Sequence, residues 1–179
     1  MTHIILLIAA LAEEADAFMP GQGHVVEAKP HPMRVIEQPR RQIKIVTCGL
    51  GKVNAALGGA GIAQYRAGDW PMGKACDPAF TAMPDPGSGL PHASIISGDV
   101  FLECPAAAKA LAVKLNAQLV DMEVAAVAQA AEALGLPWCA IKAVTDDADC
   151  ESASDFSANL KRAARKAGVA MEALCLTIA

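Results

Sequence analysis

The sequence predicts an α/β fold in which a mixed β-sheet is flanked by helices on both faces. From residue 94 onward, short apolar stretches alternate with longer helical patterns, which is typical of strands covered by helices. Two earlier apolar stretches, residues 4–12 and 43–47, have the length of buried strands. Of the 179 residues, 54% are hydrophobic and only 19% are charged. We therefore expect one well-buried domain over residues 1–179 that also forms a subunit interface.

The first element is predicted to be a buried strand. Residues 4–12 are an apolar run whose Ala-Leu-Ala ending resembles a signal-peptidase site. No Lys or Arg precedes the run, however, and Glu13 and Glu14 follow it directly. The run is also too short to cross a bilayer. We favour the strand over a signal peptide and expect no membrane association.

A short helix over residues 12–18 is expected next, followed by a hairpin that pairs residues 25–26 with 34–36. The second strand, residues 43–47, runs into a glycine turn and then an alanine-rich helix over residues 53–65. Residues 66–93 contain five prolines and little periodicity. This part is predicted to be irregular.

The second half is more regular. The pattern predicts strands at 94–97, 118–121 and 138–144, with helices at 105–115, 122–134 and 154–176. In sheets with parallel strands, ligands bind beyond the carboxyl ends of the strands. The residues that follow each strand are therefore the place to look for a functional site.

Net charge bears on the expected partners, and cysteine content bears on the expected cellular compartment. The net charge is −4, and the basic cluster at 161–166 is interpreted as the solvated side of a late helix, so no nucleic-acid partner is expected. The six cysteines are scattered without a CxxC pair. They are interpreted as buried thiols of a protein in the reducing cytoplasm.

Metal and nucleotide motifs are not matched. The turn Gly49-Leu50-Gly51 lacks the third glycine of a dinucleotide fingerprint, and no acidic strand end follows about twenty residues later. The acidic residues 146–149 lack the spacing of an EF-hand loop. Capping or helix-dipole roles explain the strand-end carboxylates taken one at a time. We expect neither a metal nor a cofactor.

Four stretches of sequence, taken together and in order, indicate a family more specifically than any one of them alone. They are Cys48-Gly49-Leu50-Gly51-Lys52-Val53-Asn54, Ser97-Gly98-Asp99-Val100-Phe101, Val120-Asp121-Met122-Glu123 and Thr145-Asp146-Asp147-Ala148-Asp149. In this order they resemble the bacterial methylthioadenosine/S-adenosylhomocysteine nucleosidases and, more broadly, the purine nucleoside phosphorylase superfamily. The resemblance covers residues 3–64 and 94–176. It implies a nucleoside phosphorylase-like fold, a small-molecule nucleoside ligand and a homodimer.

The resemblance also implies roles for individual residues around the base. Glu14 would orient and deprotonate the attacking water, and Asp146 would protonate N7 of the purine. Phe101 would stack on the purine, and the backbone of Leu102 would bind its edge.

Around the sugar, Glu123 would bind the ribose hydroxyls and Met122 would pack beneath the ring. Thr145 is the neighbour of the acid in the family motif. Gly49 belongs to a tight turn with little side-chain bulk, which suits close approach of a ligand.

These roles form a consistent mechanism. Cleavage of an N-glycosidic bond passes through an oxocarbenium-like state, so the purine is protonated on one side while water is activated on the other. Asp146 must then hold a proton near neutral pH, which burial or the neighbouring Asp147 and Asp149 could favour. Hydrolysis that releases adenine is the favoured reaction. A phosphate-dependent phosphorylase and a non-catalytic nucleoside-binding relative remain as alternatives.

The sequence departs from the family pattern in one region. Nothing after the helix at 53–65 matches the Asn-x-Gly-x-Ala-Gly-like central strand, and residues 66–70 resemble a piece further downstream. Loss of a central strand is expected to split the sheet. Either this is a truncated relative, or segments of a longer chain are missing from the sequence.

Overall fold

The computed structural model describes residues 3–28, 31–51 and 80–178. Its strands are β1 (His3–Ala9), β2 (His24–Val26), β3 (Met33–Gln38), β4 (Arg41–Thr47), β5 (Ile95–Ser97) and β6 (Leu119–Asp121). Its helices are α1 (Ala12–Ala17), α2 (Pro105–Leu115), α3 (Val124–Ala133) and α4 (Ser152–Thr177). The mixed sheet with flanking helices confirms the predicted fold class.

The described strands form two sheets. The first has the order β1-β4-β3-β2, and the second pairs β5 with β6. β1 runs parallel to β4, so both strands end at the same edge of the sheet. Beyond that edge the backbone N–H of Cys48 donates to the Ala9 carbonyl over 2.9 Å, and that of Gly49 donates to Ala10 over 3.0 Å. Gly49 makes this contact with φ 87°, a conformation that favours glycine.

The main core lies between the four-stranded sheet and helices α1 and α4. Its buried members come mostly from alternate positions of β1, β3 and β4 and from the two helices: Leu7, Ala9, Ala15, Phe18, Met19, Ile36, Ile43, Ile45 and Cys175. The alternation places one face of each strand against the helices. The 26-residue helix α4 thereby joins the C-terminal part of the chain to the N-terminal sheet.

Arg34 of β3 closes the carboxyl end of α1. Its guanidinium donates to the carbonyls of Ala15 (2.5 Å), Phe18 (2.7 Å), Met19 (3.0 Å) and Gln22 (2.9 Å). These carbonyls lie at and just beyond the helix end, where intrahelical donors run out. A cation there is also favoured by the helix dipole.

The structure confirms most of the predicted elements. The N-terminal apolar run forms β1, the hairpin forms with Val25 opposite Arg34, and α2 spans the predicted residues 105–115. α2 starts with proline at its first position and ends at Asn116 in the left-handed conformation. The predicted helix at 53–65 and residues 66–79 of the predicted irregular region lie outside the described residues. Residues 80–93 form neither helix nor strand.

The strand predicted at 138–144 is wrong. This segment is irregular, and its Trp138 carbonyl accepts a backbone hydrogen bond of 2.8 Å from Met83 N–H. An apolar run becomes a strand only when a neighbour pairs with it, and the described residues supply no such neighbour. Within the same residues, no helix combines the length and apolar character needed to cross a membrane.

Gly168 is the point where α4 crosses the end of α1. A Cβ at this position would lie 2.6 Å from the Ala17 carbonyl oxygen. We expect Gly168→Ala to destabilise the fold by roughly 1–3 kcal/mol, because overpacking outweighs the gain in helix propensity. Thermal or urea unfolding measures the change.

The matched control is Gly98→Ala, because a Cβ at Gly98 meets no atom within 4 Å. Equal unfolding midpoints for the two variants would contradict the close approach of α4 to α1.

Candidate active site

A cavity of about 780 Å³ lies where β1, β4 and the segment after α3 converge. It is lined by β1, by the run of residues 136–142 and by residues of α4. Four polar or ionisable side chains face the cavity near the strand ends, namely those of Glu14, Cys48, Glu123 and Lys142. The two predicted carboxylates, Glu14 and Glu123, thus lie at one cavity although they are far apart in the sequence.

Glu14 is positioned by the first turn of α1. Its Oε2 accepts hydrogen bonds from the backbone N–H groups of Ala10 (2.9 Å) and Leu11 (3.1 Å). These donors belong to the turn that leads from β1 into the helix, so the carboxylate is held by the junction itself. Oε1 has no hydrogen-bond partner within the described ranges. That oxygen is available to a ligand or a water molecule.

Glu123 is positioned between the ends of β4 and β6. It is the residue that precedes α3, and its Oε1 accepts a hydrogen bond of 2.9 Å from Gly51 N–H. Gly51 presents this N–H with φ 96°, again a conformation that favours glycine. The Glu123 side chain is 12% exposed. A mostly buried carboxylate with one oxygen committed can still accept hydrogen bonds from hydroxyl groups.

Asp121 organises the base of this region. Its carboxylate accepts from the Ser97 hydroxyl (2.5 Å) and from Val124 N–H (2.9 Å), and it pairs with Lys142 Nζ at 2.9 Å. The Ser97 oxygen in turn accepts from Ala125 N–H over 2.8 Å. The ends of β5 and β6 and the first turn of α3 are therefore tied together by one buried carboxylate.

Cys48 lies among these charges. Burial, reinforced by the negative charge of Glu123, raises the pKa of the Cys48 thiol to about 11, with Glu14 adding to the shift and Lys142 opposing it. The thiol is therefore protonated at neutral pH and acts as a small apolar side chain rather than a nucleophile.

Three of the predicted residues, Phe101, Thr145 and Asp146, lie at the start of α4. The rings of Phe101 and Phe156 meet edge to face, with centroids 5.9 Å apart. One helical turn further along, Asn159 donates to the Thr145 carbonyl over 2.8 Å. Asp146 accepts from the Thr145 hydroxyl (2.8 Å) and from a backbone N–H two residues later. These residues do not line the cavity that holds Glu14 and Glu123, so the structure brings the predicted site together as two groups.

The remaining predicted residues lie outside the cavity. Gly49, Leu102 and Met122 are half-buried and line no part of the cavity. Asp147 is exposed. Asp149 accepts a hydrogen bond from Glu151 N–H, and its own N–H donates to the Ser152 hydroxyl, so it shapes the turn into α4.

Sequence reasoning missed three residues that the structure places beside the carboxylates. Asp121 lies in the same stretch as Met122 and Glu123, and an acid at a strand end just before a helix is a recognisable capping signal. Lys142 is a single cation in an apolar run, which is also a recognisable signal. Cys48 carried no such signal, because its position depends on the tertiary fold.

The expectation for the cysteines is only partly right. Cys48 and Cys175 are buried, but Cys104 and Cys150 are exposed because they lie in loops before α2 and α4. Cys76 lies outside the described residues. In the described part of the chain, no three His, Cys, Asp or Glu side chains are grouped closely enough to hold a metal ion.

Comparison with known proteins finds a family that part of the chain resembles. Residues 89–176 match the sequence profile of the Phosphorylase superfamily, a region that contains Asp121, Glu123, Lys142 and Asp146. The match covers just under half of the chain, which is similar to this superfamily over those residues. The match therefore includes the network beneath α3 and the start of α4.

The curated relatives that the chain matches are nucleosidases. The chain is 35% identical over 66 residues to 5′-methylthioadenosine/S-adenosylhomocysteine nucleosidase of Mycobacterium bovis, covering 37% of this chain and 26% of that protein. It is 33% identical over 76 residues to aminodeoxyfutalosine nucleosidase of Helicobacter pylori, covering 42% and 33%. The matched region thus spans about a quarter to a third of these relatives.

Two solved structures share the fold of this chain. Futalosine hydrolase of Helicobacter pylori superposes with a TM-score of 0.85 at 18% identity, covering 99% of each chain. The 5′-methylthioadenosine/S-adenosylhomocysteine nucleosidase of S. pneumoniae, bound to a transition-state inhibitor, superposes with a TM-score of 0.84 at 21% identity, covering 98% of this chain and 100% of that one.

The raised pKa of Cys48 predicts slow chemical labelling. With a pKa of about 11, on the order of one Cys48 thiol in a thousand is ionised at pH 8, and the fraction rises about tenfold per pH unit until the pKa is approached. Alkylation at pH 8 followed by peptide mass mapping should modify Cys104 and Cys150 first. Labelling of Cys48 as fast as that of Cys150 would contradict the buried position beside Glu123.

Proposed function

We propose that the protein hydrolyses the N-glycosidic bond of adenine nucleosides with a modified 5′ position, such as methylthioadenosine or S-adenosylhomocysteine, and releases adenine. The single observation that carries the proposal is that Glu14 and Glu123 line one cavity at the strand ends of a phosphorylase-superfamily fold. The curated relatives are nucleosidases, which supports the reaction class.

Glu14 is the proposed base that activates water. One of its oxygens is occupied by two backbone donors, which fix the carboxylate, while the other has no partner among the described residues, and the residue lines the cavity. A fixed carboxylate with a free oxygen suits the orientation and deprotonation of a water molecule. Glu123 is the proposed partner of the ribose hydroxyls, with Met122 beneath the sugar.

Asp146 is the proposed acid that protonates the leaving purine. It is half-buried and next to Thr145, and the same helix that anchors Thr145 carries Phe156 against Phe101. An aromatic pair near a carboxyl group suits a flat base that must be stacked and protonated. In this proposal Leu102 contacts the edge of the base. The two groups of site residues would then bind opposite ends of one nucleoside.

Hydrolysis is favoured over phosphorolysis because two arginines of the sheet, Arg34 and Arg41, are already engaged in hydrogen bonds to backbone carbonyls. Arg34 donates four hydrogen bonds to carbonyls at and just beyond the end of α1, and Arg41 donates to the Cys175 carbonyl. A phosphorylase needs cations around a bound phosphate. Arg66, a further candidate from the sequence, lies outside the described residues. A cytoplasmic homodimer remains part of the proposal.

The direct test is incubation with methylthioadenosine while adenine release is followed by chromatography. We expect release without phosphate and no acceleration when phosphate is added. Release only with phosphate would favour the phosphorylase. Binding of the nucleoside by calorimetry without any release would favour the non-catalytic relative and overturn the proposed reaction.

Glu14→Gln should lower the rate of adenine release by about 10²–10⁴-fold, because the amide cannot accept the proton of the attacking water. The neighbouring Glu13→Gln is the matched control, since Glu13 is exposed on the same helix. A Glu14→Gln variant within a few-fold of the control would remove Glu14 from the mechanism.

Asp146→Asn should likewise lower the rate by about 10²–10⁴-fold, because the amide cannot protonate the purine. Its effect should shrink on a substrate with an activated leaving group that departs without protonation. Asp147→Asn is the matched control, because Asp147 is exposed next to it. Equal losses for both leaving groups would argue for a structural role of Asp146.

A further inference from the structure

We propose that Asp121 is a positioning residue that holds Lys142 away from Glu123 and so keeps one oxygen of Glu123 open to a ligand hydroxyl. The inference rests on the proposed function in one respect, because the hydroxyls are taken to be those of the ribose. It concerns a residue that does not itself line the cavity.

The distances show how Lys142 is shared. Its Nζ lies 2.9 Å from Asp121 Oδ2 and 3.9 Å from Glu123 Oε2. The first distance is that of a charge-assisted hydrogen bond, while the second is too long for a hydrogen bond. Two carboxylates therefore compete for one ammonium group, and Asp121 holds it.

Asp121 can hold the cation because its own position is fixed. The side chain is 5% exposed, the Ser97 hydroxyl donates to Oδ1, and Val124 N–H donates to Oδ2. Lys142, in contrast, comes from an irregular segment, and its side chain is 32% exposed. A flexible four-carbon stem allows its ammonium group to follow whichever carboxylate binds it better.

The consequence concerns the free oxygen of Glu123. Gly51 N–H already occupies Oε1, so Oε2 is the oxygen left for a ligand. If Lys142 moved about 1 Å closer, it would donate directly to Oε2. A ligand hydroxyl would then compete with a charge-assisted hydrogen bond, which is roughly twice as strong as a neutral one.

The test compares two ligands that differ only in these hydroxyls. An adenosine C-nucleoside, whose glycosidic C–C bond cannot be hydrolysed, and its 2′,3′-dideoxy counterpart are titrated by calorimetry. In Asp121→Asn we expect the preference for the hydroxylated ligand to fall at least about fivefold, because a neutral amide holds Lys142 less tightly than a carboxylate does. An unchanged preference in the folded variant would overturn the proposal.

A second substitution separates positioning from simple damage. Adding Lys142→Met to Asp121→Asn should restore the preference to within about twofold, because the competing cation is gone. Ser97→Ala is the matched control, since it removes the donor to Oδ1 of Asp121 but leaves Oδ2, which binds Val124 N–H and Lys142, in place. It should lower the melting temperature and leave the preference unchanged. If the double variant does not regain the preference for the hydroxylated ligand, the proposal is overturned.

Two further measurements test the proposal if the protein binds neither ligand or if Asp121→Asn does not fold. A crystal structure of Asp121→Asn should show Lys142 Nζ within hydrogen-bond distance of Glu123, and an unmoved lysine would overturn the inference. This measurement decides the matter even if the parent protein binds neither ligand, in which case the proposed function alone has failed. Should Asp121→Asn not fold, Lys142→Met carries the test, because loss of hydroxyl preference in that variant would make Lys142 itself a ligand contact.

Discussion

The hydrogen bond from Gly51 N–H to Glu123 Oε1 is the contact on which the candidate site depends. It joins the turn after β4 to the start of α3, and thus connects the two sheets that the described residues form. Cys48 and Ala126 pack together beside it, with Ile8 and Val127 against them. Because β1 and β4 end at the same edge, this connection also sets where Glu14 lies relative to Glu123.

The carboxylates of the site serve the fold and the proposed chemistry together. Glu14 and Asp121 accept hydrogen bonds from backbone N–H groups at helix starts, and Glu123 accepts one from a turn. Helix N-termini favour negative charge, so a capping role and a chemical role do not exclude each other. In Glu14 one oxygen accepts the backbone hydrogen bonds, and the other is left for the proposed chemistry. The capping role of these acids therefore describes how the site is held in place.

Much of the fold could be predicted from the sequence because hydrophobic periodicity and turn residues are local signals. β1, the hairpin, α2 and α4 follow from such signals. The strand predicted at 138–144 failed because strand formation requires a partner, which lies elsewhere in the chain. The same limit applies to the site. Glu14, Glu123 and Asp146 were identified by resemblance, whereas the pairing of Asp121 with Lys142 depends on side-chain positions that no spacing rule encodes.

The sequence by itself determined the α/β class, the order of most elements, the superfamily resemblance and the carboxylates that carry it. The tertiary structure decided which of these residues meet. Glu14 and Glu123 share a cavity, while Phe101 and Asp146 gather at the start of α4. The physical reason is that local pattern specifies the conformation of a segment, but the distance between two side chains depends on how the sheets and helices pack. Burial of Cys48, and with it the raised pKa of its thiol, is likewise a property of that packing.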